Sequence, residues 1–231
     1  MVRHTPPHGR ADELTCIRRD SGPVHALTYS SGSGQYLLSG SSDRSIKLWN
    51  PTKAIEASKK SGEPYTSAIQ TYTGSHTYEV LSLCVSTDNS HFLSAGGDKS
   101  VFIWDVASGR TLRRLGGGPG GHNARIESVK YGGEGDSVVV SGSYDASVRL
   151  WDIKAQGNRP MMVLSEGRDS VTDVAVSGWE VGAACVDGRV RWYDMRTGFC
   201  TVDVIGGTCS ATRTMTIVEP RGDADYYEQR L

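Results

Sequence analysis

From Val24 onward the chain alternates short apolar runs with polar, glycine-rich breaks, and the runs recur in a fixed order. A first run reads VHALTY, VLSLCV, IESVKY and VTDVAV, starting at Val24, Val80, Ile126 and Val171. After a turn comes a second: YLLSG, HFLSA, VVVSG and VGAAC. A tight turn then carries Asp43, Asp98, Asp145 or Asp187, and a third run ends on Trp49, Trp104, Trp151 or Tyr193, six residues after that Asp. A fourth, more polar run such as RTLRRL or RPMMVL precedes the next copy. Short alternating runs rich in Val, Ile, Leu, Thr and Tyr are half-buried strands. No window sustains a helical period, so the pattern predicts four four-stranded sheets.

The equivalent aspartates lie 55, 47 and 42 residues apart. The two shorter spacings are close to the roughly 40–45 residues of one propeller blade. The longest gap holds a polar insertion, residues 52–67, with Gly62 and Pro64, which reads as an extended loop. One such sheet cannot bury both faces alone, so successive sheets must stack radially around an axis. The predicted fold is all-β: a propeller with four recognisable blades, their repeat cores at about 21–51, 76–115, 121–154 and 167–205.

The Asp–Trp spacing has a physical reason. An Asp side chain bonds its own backbone two residues on and so suits the turn. Six residues along the returning strand bring the Trp level with the strand before it. The second copy then gathers His76, Ser94, Asp98 and Trp104, and the third His122, Ser141, Asp145 and Trp151. The indole N–H donates to the Ser hydroxyl, the hydroxyl to one ring nitrogen of the His, and the other ring nitrogen to the Asp. Each bond is worth roughly 0.5–1.5 kcal/mol net, and losing one partner strands the others in a buried site. Ser, His and Asp together also suggest a nucleophile. That chemistry needs an exposed hydroxyl and an oxyanion site. Here the Ser lies mid-strand, the set occurs twice and a Trp completes it, so the tetrad is read as a structural staple. The first and fourth copies lack the His, and Ala183 and Tyr193 replace Ser and Trp in the fourth. These two are expected to pack by hydrophobic contact alone.

Charge narrows the function. The net charge is −1, from 25 basic and 26 acidic residues, whereas nucleic-acid binders take most of their affinity from a basic surplus. The five cysteines are odd in number and show no Cys-x-x-Cys spacing, so neither a disulfide framework nor a zinc site is expected. The N-terminus lacks the apolar core of a signal peptide, and no apolar run is long enough to span a bilayer. A reducing compartment, cytosol or nucleus, is the expectation. LGGGPGGH leads into a strand rather than a helix and so fails as a phosphate-binding loop. No cofactor, metal or small-molecule substrate is expected.

The motifs LWN, IWD and LWD with their Asp spacing, and the Gly121–His122 pair, resemble the WD repeat. YEVLSL, GGDKSVFIWDVASG, GRDSVTDVAVS and DGRVRWYDMRTG more narrowly resemble the mitogen-activated protein kinase organizer family, also called WD repeat domain 83. The resemblance covers about residues 12–206. It implies a seven-bladed propeller without chemistry, a scaffold that gathers components of the MAP kinase cascade and is associated with spliceosomes. It assigns no residue here to a kinase contact. Two departures follow. Residues 206–231 contain no further Asp–Trp unit, so about three blades of the family pattern are missing. ELTCIRR, residues 13–19, resembles the outer strand that would close the ring on the last of them. Residues 1–11 are expected to be disordered and 206–231 to be a divergent tail. Either TRTMTIV in that tail pairs with the N-terminal strand, or the four sheets form an open arc. The open arc is the favoured expectation, as a shortened isoform or an imperfect gene model.

Propellers usually bind proteins on the face formed by the loops that hold the His and the Asp turn. The candidates there are Ser42, Arg44, Tyr78, Glu79, Lys99, Arg125, Tyr144, Arg168 and Asp169. Tyr144 and Arg125 lead, since both adjoin a complete tetrad and belong to types that concentrate binding energy. Taken singly, each of the nine reads better as an ordinary solvated loop residue. WDIK (Trp151–Lys154) and YDMR (Tyr193–Arg196) each differ by one residue from the W-D-x-R of cullin-ligase substrate receptors. Lys lacks the bidentate fork of Arg, so that role is the alternative reading. The RGD at Arg221–Asp223 is taken as chance.

Overall fold

The computed structural model describes residues 21–53, 56 and 67–204. The expected strand at 13–19, the segments 1–11 and 206–231, and most of the 52–67 insertion lie outside the described residues. Among the described residues, sixteen strands form four antiparallel sheets of four, each in sequence order. Blade 1 comprises β1 (Val24–Tyr29), β2 (Leu37–Ser41), β3 (Ile46–Trp49) and β4 (Gln70–Tyr72). Blade 2 comprises β5 (Val80–Val85), β6 (His91–Gly96), β7 (Ser100–Asp105) and β8 (Thr111–Gly116). Blade 3 comprises β9 (Ile126–Gly132), β10 (Val138–Ser143), β11 (Val148–Asp152) and β12 (Met162–Leu164), with a 3-10 turn at Glu134–Asp136. Blade 4 comprises β13 (Val171–Ser177), β14 (Glu180–Cys185), β15 (Arg189–Asp194) and β16 (Cys200–Val204). The all-β, four-bladed reading holds, and the inner strands begin at the four residues the pattern indicated.

The inner strand of every blade carries the same irregularity. Pairing slips by one residue between Val24 and Ala26, between Val80 and Ser82, between Ile126 and Ser128, and between Val171 and Asp173. A bulge of this kind bends the strand and sharpens its twist. Its recurrence at one place sets the blade's shape where the loop before each inner strand enters the sheet.

The core lies between blades rather than within them. Ala26, Leu38, Ile46 and Tyr72 of blade 1 pack on Val80, Leu83, Phe92, Phe102 and Trp104 of blade 2. Phe92 stacks on Trp104 at 5.8 Å between ring centroids, and Tyr72 meets Phe92 edge-on at 4.9 Å. Leu93, Val101 and Leu115 of blade 2 meet Ile126, Val129 and Trp151 of blade 3 in the same way. Val140, Val148 and Leu150 of blade 3 then meet Val174, Val181 and Tyr193 of blade 4.

The sheets do not close into a ring. Val80 and Leu83, Ile126 and Val129, Val171 and Val174 occupy corresponding inner-strand positions and are 0–5% exposed. Val24 and Leu27, at those positions in blade 1, are 41% and 63% exposed. In blades 2–4 the preceding blade covers these side chains. Among the described residues no sheet stands there for blade 1.

Candidate protein-interaction face

Antiparallel pairing sets Trp49, Trp104 and Trp151 opposite Leu37, Phe92 and Val139, two residues before Ser39, Ser94 and Ser141. Each indole therefore reaches a Ser on the same face, diagonally along the second strand. In blade 2, Trp104 Nε1 donates to Ser94 Oγ at 2.7 Å, and that hydroxyl bonds His76 Nε2 at 2.6 Å. His76 Nδ1 lies 2.6 Å from Asp98 Oδ2. In blade 3, Trp151 Nε1 donates to Ser141 Oγ at 2.8 Å, Ser141 Oγ is 2.8 Å from His122 Nε2, and His122 Nδ1 is 3.0 Å from Asp145 Oδ2. Both serines are fully buried, so neither hydroxyl is presented to a substrate.

The carboxylates also collect the adjoining backbone. Asp98 accepts from Thr77 N at 2.9 Å and Asp145 from Asn123 N at 2.8 Å. Burial works to raise the Asp98 carboxyl, and hydrogen bonds from His76 and Thr77 outweigh it, holding it at about 2. For Asp145 burial likewise opposes ionisation, and bonds from His122, Ser147 and Asn123 keep it well below the ordinary carboxylate range. Burial depresses His122 below its ordinary 6.5, more than the Asp145 carboxylate raises it. The ring is therefore neutral at pH 7.

Blades 1 and 4 correct the expectation that they pack by hydrophobic contact alone. Trp49 Nε1 donates to Ser39 Oγ at 2.9 Å, reproducing the inner half of the tetrad. In place of a His, Ser21 donates to Asp43 through its backbone N–H at 3.0 Å and its hydroxyl at 2.9 Å. The signal was in the sequence: Ser39, Ser94 and Ser141 each lie ten residues before their Trp. In blade 4, Asp187 is gripped by Arg191 at 2.7 Å, and that Arg is only 2% exposed. The pair joins the turn to the strand that leaves it, since Asp187 precedes β15 and Arg191 lies within it. Arg149 occupies the same place in blade 3, 3.7 Å from Asp145.

The residue after each Asp is left-handed: Arg44 at φ 70°, Lys99 at 58°, Ala146 at 64° and Gly188 at 76°. The turn therefore projects Arg44 and Lys99 into solvent, and both are exposed. Tyr78 and Tyr144 are 59% and 55% exposed. The Arg125 guanidinium lies 4.7 Å over the Tyr144 ring and forms an ion pair with Glu127. Tyr144 N donates to Arg125 O at 3.0 Å, fixing the pair from the backbone as well. Glu127 chiefly, with Tyr144 and Glu79 adding, raises the Arg125 pKa above its ordinary value. Glu79 belongs to the loop before blade 2, so the face runs on between blades 2 and 3. Glu79 O accepts from Gly97 N at 3.2 Å. Arg168 and Asp169 are exposed in the loop before blade 4. Ser170 Oγ donates to Tyr144 O at 3.3 Å and ties that loop to the blade 3 turn. Ser42 is held through its N–H to Pro23 O at 2.9 Å, within blade 1. Tyr78, Glu79, Arg125, Tyr144, Arg168 and Asp169 thus share a continuous strip over blades 2–4, while Ser42 and Arg44 stand on the blade 1 turn.

Among the described residues there is no cluster of His, Cys, Asp and Glu that could hold a metal ion, and no helix long and apolar enough to cross a membrane. Cys84, Cys185 and Cys200 are free thiols.

Comparison with known proteins agrees with this geometry. The family described as WD domain, G-beta repeat matches residues 13–50, 66–105 and 110–152. The WD repeat domain-containing protein 83 homolog of Dictyostelium discoideum is 30% identical, over 79% of this chain and 59% of its own length. Autophagy-related protein 16 of Arabidopsis thaliana is 26% identical over 92% of this chain and 37% of its own. A guanine nucleotide-binding protein subunit beta of Zea mays is 30% identical over 71% and 43%. The chain therefore spans between about a third and three fifths of the length of these relatives. Among solved structures, that of U3-55K aligns with a TM-score of 0.65 at 21% identity, covering 80% of this chain and 53% of that one. The RRP9 WD40 repeats align with the same score and identity. With the repeat matched over more than half of its residues, and the Asp turn built alike in four sheets, this chain belongs to the WD domain, G-beta repeat family.

Proposed function

We propose that this chain is a non-catalytic protein-interaction scaffold that binds partners on the loop face over blades 2–4. The observation that carries the reading is the Arg125–Tyr144 pair. An exposed guanidinium is stacked on an exposed ring, and the backbone beneath is bolted to a buried tetrad. Tyr and Arg dominate binding hot spots, and a rigid support lowers the ordering cost of association. The finer role is assembly of MAP kinase cascade components and association with pre-mRNA splicing complexes, in the cytoplasm and the nucleus. The family-like motifs GGDKSVFIWDVASG and DGRVRWYDMRTG support it, together with the likeness to the Dictyostelium protein 83 homolog.

The alternative is a substrate receptor of a cullin-type ubiquitin ligase. It has one observation in its favour: Arg196 of YDMR stands exposed at the surface, its guanidinium forked on Asp194 at 3.2 and 2.8 Å. Affinity purification with mass spectrometry, on wild type and Tyr144→Ala, separates the two. Kinase-cascade or splicing proteins lost on Tyr144→Ala, at an unchanged melting temperature, support the scaffold. A cullin adaptor retrieved by both forms supports the receptor. Retrieval of the same scaffold partners by Tyr144→Ala removes this face from the account.

A further inference from the structure

The end of the molecule opposite the Asp turns carries a groove between blades 2 and 3, of about 630 Å³. Four side chains make its apolar lining: Ile103 and Leu112 from blade 2, Tyr131 and Ile153 from blade 3. Leu112 is 56% exposed on the outer strand of blade 2, a large aliphatic side chain with only part of its surface covered. The Tyr131 hydroxyl is shut off from solvent and has no hydrogen-bond partner, a costly state for a group that can both donate and accept. The inner-strand counterparts of Tyr131 are Tyr29, Val85 and Val176, so this hydroxyl is no requirement of the repeat.

The mouth of the groove is acidic. Asp136 of blade 3 accepts from Thr87 of blade 2, through N at 2.6 Å and Oγ1 at 2.8 Å, which fixes the two blades against each other. Asp88 accepts from Ser86 Oγ at 2.6 Å and Ser90 N at 3.0 Å. The one guanidinium in the lining, Arg113, donates to the carbonyls of Asp152, Ile153 and Gly157. His91 bonds Ser90 Oγ at 2.6 Å. Two carboxylates against one guanidinium committed to carbonyls leave the rim with an excess of negative charge.

We infer that this groove is a second docking site, for an extended peptide segment of a partner protein that sets an apolar side chain beside a Lys or Arg. The apolar side chain lies on Leu112, Ile103 and Ile153, and the cation meets Asp88 and Asp136. Extended peptides bind in this divided way, with pockets supplying specificity and main-chain bonds affinity. The site is separate from the Tyr144 face, on the other end of the blades, so a scaffold could hold two proteins at once.

The test is selection of a random heptapeptide library displayed on phage against the purified chain, followed by fluorescence anisotropy on the synthetic form of the most enriched sequence. The expected sequences place Leu, Ile, Met or Phe within two positions of Lys or Arg. Binding should weaken about tenfold or more in Leu112→Glu, as for loss of an apolar anchor. It should weaken less in Asp136→Asn, which keeps the bond to Thr87, and should be unmoved in Tyr144→Ala. Added salt should weaken it in wild type more than in Asp136→Asn. Overturning results are the absence of enrichment, enriched peptides without a basic residue, or affinity unmoved by both groove variants. Binding lost only in Tyr144→Ala would overturn the groove while supporting the opposite face.

Discussion

Asp145 makes three bonds with one carboxylate, to the His122 ring and the backbone of Asn123 in the loop before blade 3 and to Ser147 in its own turn. Asp145→Ala should therefore destabilise the protein by about 1–3 kcal/mol, as a buried network losing a member. An unchanged unfolding midpoint in urea would remove the tetrad from the account of stability. Acid should act on the same groups in two stages. His122 is held neutral below its ordinary 6.5, so the unfolded chain takes up the proton first and stability falls as pH drops below 6.5. Asp98, at about 2 in the fold against an ordinary 3.8, contributes fully above about pH 4 and loses that contribution as pH falls toward 2. Melting temperatures recorded from pH 7 to pH 2 check both stages, and a flat profile between pH 6.5 and 4.5 would mean that His122 is protonated in the fold. These tetrads were legible because four distinctive side chains recur at fixed spacing. The Ser39–Trp49 bond and the Arg191–Asp187 pair were passed over for one reason: without the His, the copies looked empty. The pieces present can act alone, since a Trp–Ser bond needs no His and a buried Asp accepts a guanidinium as readily as an imidazole.

Blade against blade, the contact depends on a small residue three positions before the Asp of blades 1 to 3: Gly40, Ala95 and Gly142. The next blade's inner strand passes so close that a Cβ on Gly142 would lie 2.7 Å from Cγ1 of both Val171 and Val174. One on Gly40 would stand equally near Val80. Gly142→Val should wedge blades 3 and 4 apart and cost about 1–3 kcal/mol by overpacking. A melting temperature equal to wild type would show that the interface gives way freely. Strand positions were readable at this scale because alternation marks them directly. The shared bulge was not, since it is a slip in pairing that leaves both the apolar spacing and the Asp count unchanged. The fourth strands were the least legible: RPMMVL yields only the three residues of β12, because an outer strand buries little and its composition is barely constrained.

In the whole molecule, equivalent residues have unequal value. Leu83 is buried against blade 1, while Leu27, its counterpart, is 63% exposed. Leu83→Ala should cost about 2–5 kcal/mol as a core truncation, and Leu27→Ala within about 0.5 kcal/mol as a surface change. Matching losses in urea unfolding would mean that something covers blade 1. The repeat made the blades visible in the sequence, but the arc is a property of which neighbours a sheet has, and no single repeat records that. A ring has no first or last blade, so opening any one of them means breaking two interfaces. In this arc blades 1 and 4 each hold on by one among the described sheets, so opening should begin at either side and travel inward, as in a stack with nearest-neighbour coupling. The loop strip over blades 2 and 3 would then be the last part to lose its shape, with blades 1 and 4 yielding first under load.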